Sequence, residues 1–298
     1  MTYKRCGASG LKMPVIALGL WNNFGAASDD TSCWEVIKTA FEQGITHFDL
    51  ADNYGPPPGS AEKCFGKILK DQLAAHRDEL VISTKAGHPM WNGVYGDGGS
   101  RKHLLAGLDQ SLQRLGLDYV DIFYHHRPDP ETPIEESMGA LVSAVRQGKA
   151  LYVALSKYPA DKLAKACAIL RDEKVPCIAH QIRYNLLEHP EGILEAADAC
   201  GCGNIVFSPL AQGLLTHKYA DGIPADSRMT KDTPCLKPSM LTPEVTEKLR
   251  VLNAVAQSKG QSLTQYALRW LLDHPLITSI IIGARTPEQL LENCAVIA

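Results

Sequence analysis

The sequence lacks the cysteine spacings that mark metal-binding proteins. It contains nine cysteines but no Cys-x-x-Cys pair, and its only close pair is Cys200 and Cys202. Structural zinc sites usually take paired cysteines or histidines at short spacings, so the sequence predicts no metal site. An odd number of scattered cysteines favours free thiols in a reducing cytoplasm.

Long apolar runs and an excess of one charge are also absent. The N-terminal segment has no apolar secretion-signal core, and no apolar run approaches the roughly 18 residues of a membrane-spanning helix. The 30 Lys and Arg residues nearly balance 33 Asp and Glu residues, which gives a formal net charge of −3. We therefore expect a cytoplasmic protein with no membrane insertion and no nucleic-acid partner.

No glycine-rich G-x-G-x-x-G motif follows a strand, which excludes a Rossmann nucleotide site as far as sequence can. The chain instead alternates short apolar runs with amphipathic helical stretches, and no linker divides its 298 residues. This alternation predicts a parallel sheet, and eight such units predict a (β/α)8 TIM barrel in one domain over residues 1–298. The predicted strands are 14–20, 45–50, 81–85, 119–125, 151–156, 177–182, 204–210 and 277–283.

Helix signals lie between these runs. Asp30 is placed to cap a helix that Gly44 ends, and a leucine stripe over 104–115 ends at Gly116. The segment 287–297 is predicted as a last helix. Two irregular stretches, 87–100 and 215–242, follow strands and therefore belong to the face of the barrel where active sites are built.

Chemically active side chains end three of the strands. Asp49 ends the second strand, with Tyr54 shortly after it, and Lys85 ends the third. His125 and His126 end the fourth. Because strand C-termini converge on a barrel, these groups are predicted to share one cleft. A Lys beside a Tyr hydroxyl stabilises the phenolate and lowers its pKa, which would let the Tyr exchange a proton with a carbonyl oxygen.

Five segments in order resemble the aldo-keto reductase superfamily. They are HFDLADNYG (47–55), STKAG (83–87), DIFYHH (121–126), SPLAQGLLTHKY (208–219) and GARTPEQLLEN (283–293). The runs 52–62 and 98–123 resemble one branch, which holds bacterial glyceraldehyde 3-phosphate/methylglyoxal reductases and the β-subunits of voltage-gated potassium channels.

The resemblance implies a catalytic tetrad. Tyr54 is then the general acid, Lys85 lowers its pKa, and Asp49 pairs with Lys85. His126 orients the substrate carbonyl and relays the proton, because the family's His lies five residues after the Asp that is Asp121 here. His125 is interpreted as a packing residue.

The resemblance also implies NADP(H), laid across the mouth of the barrel, since no side chain can donate a hydride. Ser156 and Gln181 match carboxamide contacts, Phe207 matches the stacking aromatic, and the arginines match a 2′-phosphate site. The complete set of implied cofactor contacts is Leu20, Trp21, Asp49, Ser156, Gln181, Phe207, Ser208, Pro209, Leu210, Gln212, Gly213, Lys218, Arg228, Gly283, Arg285, Gln289, Glu292 and Asn293.

The chain departs from the family pattern in places. Lys157 follows Ser156 where many members carry Asn, and Gly283, Ala284 and Gln289 stand where many carry Lys, Ser and Arg. A preference for NADP over NAD then depends on Arg228 and Arg285. The C-terminal tail of the family is expected to be short or truncated here.

The substrate expected from the resemblance is a small aldehyde or ketone such as methylglyoxal or glyceraldehyde 3-phosphate. Arg101 and Arg127 would suit a phosphate or carboxylate on it. The candidate pocket residues are Trp21, Tyr54, Met90, Trp91, Tyr95, His126 and Arg127.

Two functions are compatible with the resemblance. One is an NADPH-dependent reductase, and the alternative is an NADP(H)-binding regulatory partner of the channel β-subunit type. His126 favours the enzyme, because the channel subunits typically lack a His there. The branch also predicts a homo-oligomer.

Overall fold

The fold is built on parallel strands that close into a barrel. A computed structural model describes residues 1–25, 29–216, 219 and 236–297. A short antiparallel hairpin, β1 (Tyr3–Arg5) and β2 (Lys12–Pro14), precedes the barrel. The barrel strands are β3 (Ile16–Gly19), β4 (His47–Asp49), β5 (Val81–Ala86), β6 (Val120–His125), β7 (Ala150–Ser156), β8 (Cys177–Arg183), β9 (Gly203–Phe207) and β10 (Ile277–Ile282). Each strand is hydrogen-bonded to the next along the chain, and β10 pairs with β3 to close the barrel.

Helices follow the strands and pack outside them. Their apolar stripes, such as Leu104, Leu108, Leu112 and Leu115, are buried against the sheet, as amphipathic helices require. The helices are α1 (Asp30–Glu42), α2 (Ser60–Ile68), α3 (Arg101–Leu115), α4 (Ile134–Arg146), α5 (Ala160–Asp172), α6 (Ile193–Ala199), α7 (Pro243–Ser258), α8 (Leu263–Leu272) and α9 (Pro287–Cys294).

The inside of the barrel is filled by apolar side chains. The hairpin contributes Cys6 and Met13, both fully buried. They share one cluster with Ile122, Tyr124 and Ile205 from the barrel strands. The hairpin therefore packs into the barrel from the end where the strands begin.

The predicted TIM barrel is confirmed, and the sequence analysis erred mainly at element boundaries. The first two barrel strands are shorter than predicted by one or two residues at each end, and the third is one residue longer. Asp29, not Asp30, caps α1 by accepting from the Ser32 amide. The predicted last helix ends at Cys294 and continues as a 3-10 turn over 295–297. The β1–β2 hairpin was not predicted. Its strands have three residues each, too few to show a periodic pattern.

Two predicted cofactor contacts, Lys218 and Arg228, lie outside the described residues, as does much of the irregular stretch 215–242. Among the helices that the structure describes, none combines the length and the apolar character needed to cross a bilayer.

Candidate active site

A cavity of about 590 Å³ opens at the C-terminal ends of the barrel strands. Asp49 and Tyr54 from the end of β4 and His126 from the end of β6 line its inner part. Arg285 and Glu292, beyond β10, line its outer part. The cavity thus occupies the face of the barrel where the sequence places the candidate catalytic groups.

Strand register brings Asp49 and Lys85 together inside the barrel. Asp49 on β4 pairs with Ser83 on β5, and Lys85 lies two residues further along β5, on the same face. The Lys85 Nζ atom is 2.6 Å from Asp49 Oδ2 and 2.6 Å from the carbonyl oxygen of Leu50. The ammonium is fully buried, so both acceptors compensate for its lost hydration.

Asp49 is itself fixed by two further donors. Its Oδ1 atom accepts from the Ser83 hydroxyl at 2.9 Å and from the Gln181 amide at 3.0 Å. With Lys85 on the other oxygen, both carboxylate oxygens are engaged. Burial lowers the pKa of Lys85, and Asp49 opposes that shift most strongly. The carboxylate therefore favours the charged form of the lysine.

The Tyr54 hydroxyl lies beside this ion pair. Lys85 Nζ is 3.4 Å from Tyr54 Oη and lies 4.9 Å from the centroid of the Tyr54 ring. Burial, reinforced by the negative charges of Asp49 and Asp52, raises the pKa of Tyr54 well above its ordinary value. Lys85 donates its shorter hydrogen bonds to Asp49 and Leu50, and the expectation that it lowers the pKa of Tyr54 stays a prediction. Tyr54 is held protonated, as a proton donor must be.

The two histidines point to different surroundings. Side chains alternate along β6, so Ile122 and Tyr124 face the barrel interior, and His126, two residues on, continues on that side. The His126 ring lies 5.8 Å from the Tyr54 ring, edge to face, and lines the cavity. His125 instead contacts Tyr158 behind the strand, with 2.6 Å between Nδ1 and the hydroxyl. The structure thus places His126, not His125, beside Tyr54.

Electrostatics keep the His126 ring neutral. Burial, followed by the nearby ammonium groups of Lys157 and Lys85, lowers the pKa of His126 well below its ordinary value. Its Nδ1 atom is buried and has no hydrogen-bond partner among the described residues. A neutral imidazole can carry an N–H aimed at a carbonyl oxygen.

A second buried acidic cluster lies below Tyr54. Both carboxylate oxygens of Asp52 are buried without a hydrogen-bond partner in the described chain. Burial and the charge of Glu62 raise the pKa of Asp52 well above its ordinary value. Glu62 is paired with Arg114 at 2.7 Å and accepts from the Thr84 hydroxyl. Both effects favour the protonated form of Asp52, and the nearby charges of Arg114 and Lys85 oppose them.

Most of the predicted cofactor contacts line the cavity. Leu20 and Ser156 do not; both are fully buried behind the wall, and the Ser156 hydroxyl has no partner among the described groups. The predicted contacts on the wall are Trp21, Asp49, Gln181, Phe207, Ser208, Pro209, Leu210, Gln212, Gly213, Gly283, Arg285, Gln289, Glu292 and Asn293.

The walls fit a long ligand with a flat ring and an anionic group. The Phe207 ring is half-buried and faces the cavity. After it the backbone turns sharply, with φ of 54° at Ser208 and then 46° and 61° at the successive residues Ala211 and Gln212, in the left-handed region. Successive residues of this kind form concave loops whose amide groups suit phosphates.

Four predicted substrate residues, Met90, Trp91, Tyr95 and Arg127, do not line the cavity in the described part of the chain. Trp91 packs on His103 with 5.2 Å between ring centroids. Arg127 pairs with Asp97 at 2.7 Å and donates to the Gly87 carbonyl.

The other arginine considered for an anion, Arg101, is also engaged elsewhere, since its guanidinium donates to the Ser143 hydroxyl at 2.6 Å. Trp91, Arg101 and Arg127 thus contact protein groups away from the cavity wall, and Tyr95 is exposed.

Other residues that were not predicted also line the wall, and several of them follow strand ends. Lys157 comes directly after β7, and Arg183 ends β8. His88 follows β5 closely, and its Nε2 atom lies 3.2 Å from Lys157 Nζ. The positions of Lys157, Arg183 and His88 at or after predicted strand ends could have indicated them from the sequence. The missed wall residues are Gly19, Asn23, Asn53, His88, Lys157, Arg183, Thr216, Tyr219, Met240, Thr264, Ile281 and Ile282.

Comparison with known proteins supplies the context for this geometry. Residues 15–298 match the Aldo/keto reductase family. The chain is 54% identical to L-glyceraldehyde 3-phosphate reductase of Escherichia coli (strain K12) over 299 residues, covering 98% of this chain and 86% of that protein. It is 53% identical to L-glyceraldehyde 3-phosphate reductase of Escherichia coli O157:H7, with the same coverage.

Proposed function

Because the chain belongs to the aldo/keto reductase family, we propose that it uses NADPH to reduce small aldehydes and ketones to alcohols, with Tyr54 as the proton donor. The observation that carries this proposal is the position of the Lys85 ammonium, 2.6 Å from Asp49 and 3.4 Å from the Tyr54 hydroxyl. The proposed catalytic unit is the whole chain, residues 1–298.

Tyr54 is suited to give up a proton only when charge develops on the substrate. Its raised pKa keeps it protonated in the resting protein. As a carbonyl oxygen gains negative charge, proton transfer from Tyr54 forms an O–H bond there and leaves a phenolate. The Lys85 ammonium next to the hydroxyl then stabilises that phenolate, and Asp49 holds the ammonium in place.

His126 supports the same step from the other side of the tyrosine. The neutral ring beside Tyr54 can direct an N–H toward the carbonyl oxygen and so orient the substrate. When bound, NADPH supplies the hydride, which no side chain can provide.

Gln181, Phe207 and the loop 208–213 would hold the nicotinamide and diphosphate parts of NADPH. Arg285, Gln289, Glu292 and Asn293 lie at the other end of the cavity, where they suit the adenosine part. Arg285 is exposed and has no ion-pair partner among the described residues. A free guanidinium matches a 2′-phosphate, which supports NADPH over NADH.

The substrate we propose is a small aldehyde that carries an anionic group, such as glyceraldehyde 3-phosphate, with methylglyoxal as an uncharged alternative. Lys157 lines the cavity near His126 and supplies positive charge there, and Arg183, which is also 3.5 Å from Glu188, adds to it. Arg101 and Arg127 do not line the cavity. The name of the Escherichia coli relatives supports a phosphorylated aldehyde. Homo-oligomeric assembly and a cytoplasmic location remain predictions from the resemblance and the thiol-rich sequence.

The test is NADPH oxidation against a panel of aldehydes at fixed ionic strength. A comparison of glyceraldehyde 3-phosphate, glyceraldehyde and methylglyoxal distinguishes recognition of the phosphate from recognition of the carbonyl group. We expect turnover with all three and the highest kcat/KM with the phosphorylated aldehyde. Tight NADPH binding without turnover of any carbonyl compound would overturn the proposal and favour the regulatory partner protein.

A further inference from the structure

Three buried thiols meet at the end of the barrel opposite to the cavity. Cys177 begins β8, and Cys202 directly precedes β9. Cys167 lies on the inner side of α5. Because the cavity is at the strand C-termini, the start of β8 and β9 belongs to the far end. The three cysteines are 3%, 4% and 2% exposed in chain order, so they form an enclosed cluster.

The sulfur separations are those of a metal centre. The three Sγ atoms all lie within 4.8 Å of one another, and Cys167 Sγ is 3.8 Å from Cys202 Sγ. With metal–sulfur bonds of about 2.3 Å, two thiolates are separated by about 3.8 Å in a tetrahedral site and by about 4.0 Å in a trigonal one. Closure of the cluster around an ion therefore requires sulfur movements of roughly 1 Å or less.

Protein contacts hold the thiols in this arrangement. The Cys177 sulfur lies 3.2 Å from the Ala179 carbonyl oxygen, and the Cys202 sulfur lies 3.4 Å from the Cys177 carbonyl oxygen. The two strands that carry them are paired, with Ala179 opposite Gly203. A cluster positioned by two neighbouring strands and a packed helix is preorganised for a ligand.

The cluster also has a side that faces the surface. Cys200, just after α6, is only half-buried, and its thiol lies within hydrogen-bonding reach of Cys167. It can capture an ion from solvent and pass it to the buried thiols, or remain as a fourth ligand. Donor sets made only of sulfur select soft cations and discriminate against magnesium and calcium.

We propose that Cys167, Cys177 and Cys202 form a binding site for one thiophilic d10 cation, Zn(II) or Cu(I), with Cys200 as its entry ligand. Binding forms bonds from the metal to three sulfurs and releases to solvent the protons that those sulfurs carried. No oxidant or reductant is consumed. The ion would join α5 to β8 and β9 and thereby stabilise the fold.

The experiment titrates the reduced, metal-free full chain with Cd(II) and follows the ultraviolet thiolate-to-cadmium charge-transfer band. We expect saturation at one equivalent of Cd(II). Displacement by Zn(II) alone, or by Cu(I) held in a chelator buffer, identifies the preferred ion. No saturable band at one equivalent would overturn the site.

Cys202→Ser tests the ligand assignment, because it removes one sulfur of the cluster. We expect it to weaken Cd(II) binding on the order of 100-fold or more. Cys64→Ser is the matched control: Cys64 is also buried and is paired with Cys33, but that pair offers only two sulfurs. Equal affinity in the wild type and Cys202→Ser would overturn the proposal.

A second measurement on the wild type avoids dependence on variants that fail to fold. Because the three thiols are enclosed, their alkylation requires transient opening of the protein, and bound Zn(II) or Cd(II) should slow that alkylation in mild denaturant, as mapped by peptide mass spectrometry. Protection confined to these cysteines and Cys200 supports the site. Unchanged alkylation with the metal, or a Cys167–Cys202 disulfide that forms in air in place of metal binding, would overturn it.

Discussion

The inner and outer ends of the cavity differ in how their side chains are held. At the inner end Asp49, Lys85 and His126 are 2%, 0% and 3% exposed, and protein contacts fix Asp49 and Lys85 before any ligand binds. At the outer end Arg285 and Glu292 are exposed. In the proposed function, the inner end would carry the chemical step, and the outer end would gain its contacts when the ligand binds. Substitutions at the two ends should change different kinetic constants.

The largest expected effect is at the inner end. Tyr54→Phe removes only the hydroxyl, so turnover should fall by ~10²–10⁴ because general-acid catalysis is lost. NADPH affinity should stay within a factor of a few, as measured by fluorescence titration. Tyr184→Phe is the control, since Tyr184 is a buried tyrosine stacked on Trp270 away from the cavity wall. Turnover retained in Tyr54→Phe would remove Tyr54 from the mechanism.

The adjacent histidines provide the next test. His126→Ala should reduce kcat by roughly 10² because an interaction with the developing alkoxide is lost. His125→Ala leaves its partner Tyr158 unsatisfied, so it should lower thermal stability and leave kcat nearly unchanged. Steady-state kinetics and thermal melts of both variants separate the two effects. Equal losses of kcat in the two variants would contradict the assignment of the interaction with the alkoxide to His126 alone.

At the outer end the change should appear in affinity. Arg285→Ala removes a charged hydrogen bond worth about 1.5–3 kcal/mol, so NADPH should bind roughly 10–150-fold more weakly. NADH, which lacks the 2′-phosphate, should be little affected, and kcat at saturating NADPH should be preserved. Arg250→Ala, an exposed arginine on α7, is the control. If both cofactors weaken equally, Arg285 does not contact the 2′-phosphate.

Lys157 lies between the two ends and offers a pH test. Burial, followed by the charges of Lys85 and Arg183, lowers the pKa of Lys157 to about 8. The ammonium is present below that pH and is lost above it. The ratio of kcat/KM for glyceraldehyde 3-phosphate to that for glyceraldehyde should therefore fall, by about tenfold, as the pH rises through 8.

Lys157→Met should lower that ratio at neutral pH and abolish its pH dependence. Lys149→Met is the matched control, since Lys149 directly precedes β7, away from the cavity, and pairs with Asp109. A ratio that is independent of pH in the wild type would exclude Lys157 from binding the phosphate.

The smallest expected effect concerns stability. Burial raises the pKa of Asp52 in the folded chain above its unfolded value. The stability associated with this group is therefore fully present below the unfolded pKa and is lost as pH rises through the folded pKa. Asp52→Asn should remove that dependence and raise the neutral-pH free energy of unfolding by about 1 kcal/mol. Chemical denaturation at several pH values measures this, with exposed Asp118→Asn as the control. If the free energy of unfolding of Asp52→Asn changes with pH as it does in the wild type, Asp52 is ionised in the folded protein.

The features of the fold and the site that depend on apolar periodicity and strand order could be predicted from the sequence. The barrel follows from eight apolar runs with helical stretches between them, and barrel geometry brings Asp49, Lys85 and His126 to one cleft. The raised pKa of Tyr54 comes first from its burial in the folded chain, which the spacing of residues in the sequence does not record.

Other features depend on three-dimensional packing that spacing does not record. Trp91 is predicted to bind substrate because it lies on a glycine-rich loop, and Arg127 because it would suit an anionic group, but their side chains contact His103 and Asp97. The thiols of Cys167, Cys177 and Cys202 are ten and 25 residues apart in sequence, and only the pairing of β8 with β9 and the packing of α5 unite them. No short cysteine motif could have indicated that cluster.

The apolar side chains that fill the barrel form a low-dielectric medium beside Lys85. Lys85 Nζ lies 5.5 Å from the centroid of the Tyr124 ring, which belongs to the same cluster as Met13 of the hairpin. Water cannot hydrate the Lys85 ammonium from the side of this apolar cluster. Its electric field is therefore directed toward Asp49 and the mouth of the barrel. The N-terminal hairpin, although remote from any reacting atom, thereby helps to set the electrostatic strength of the site.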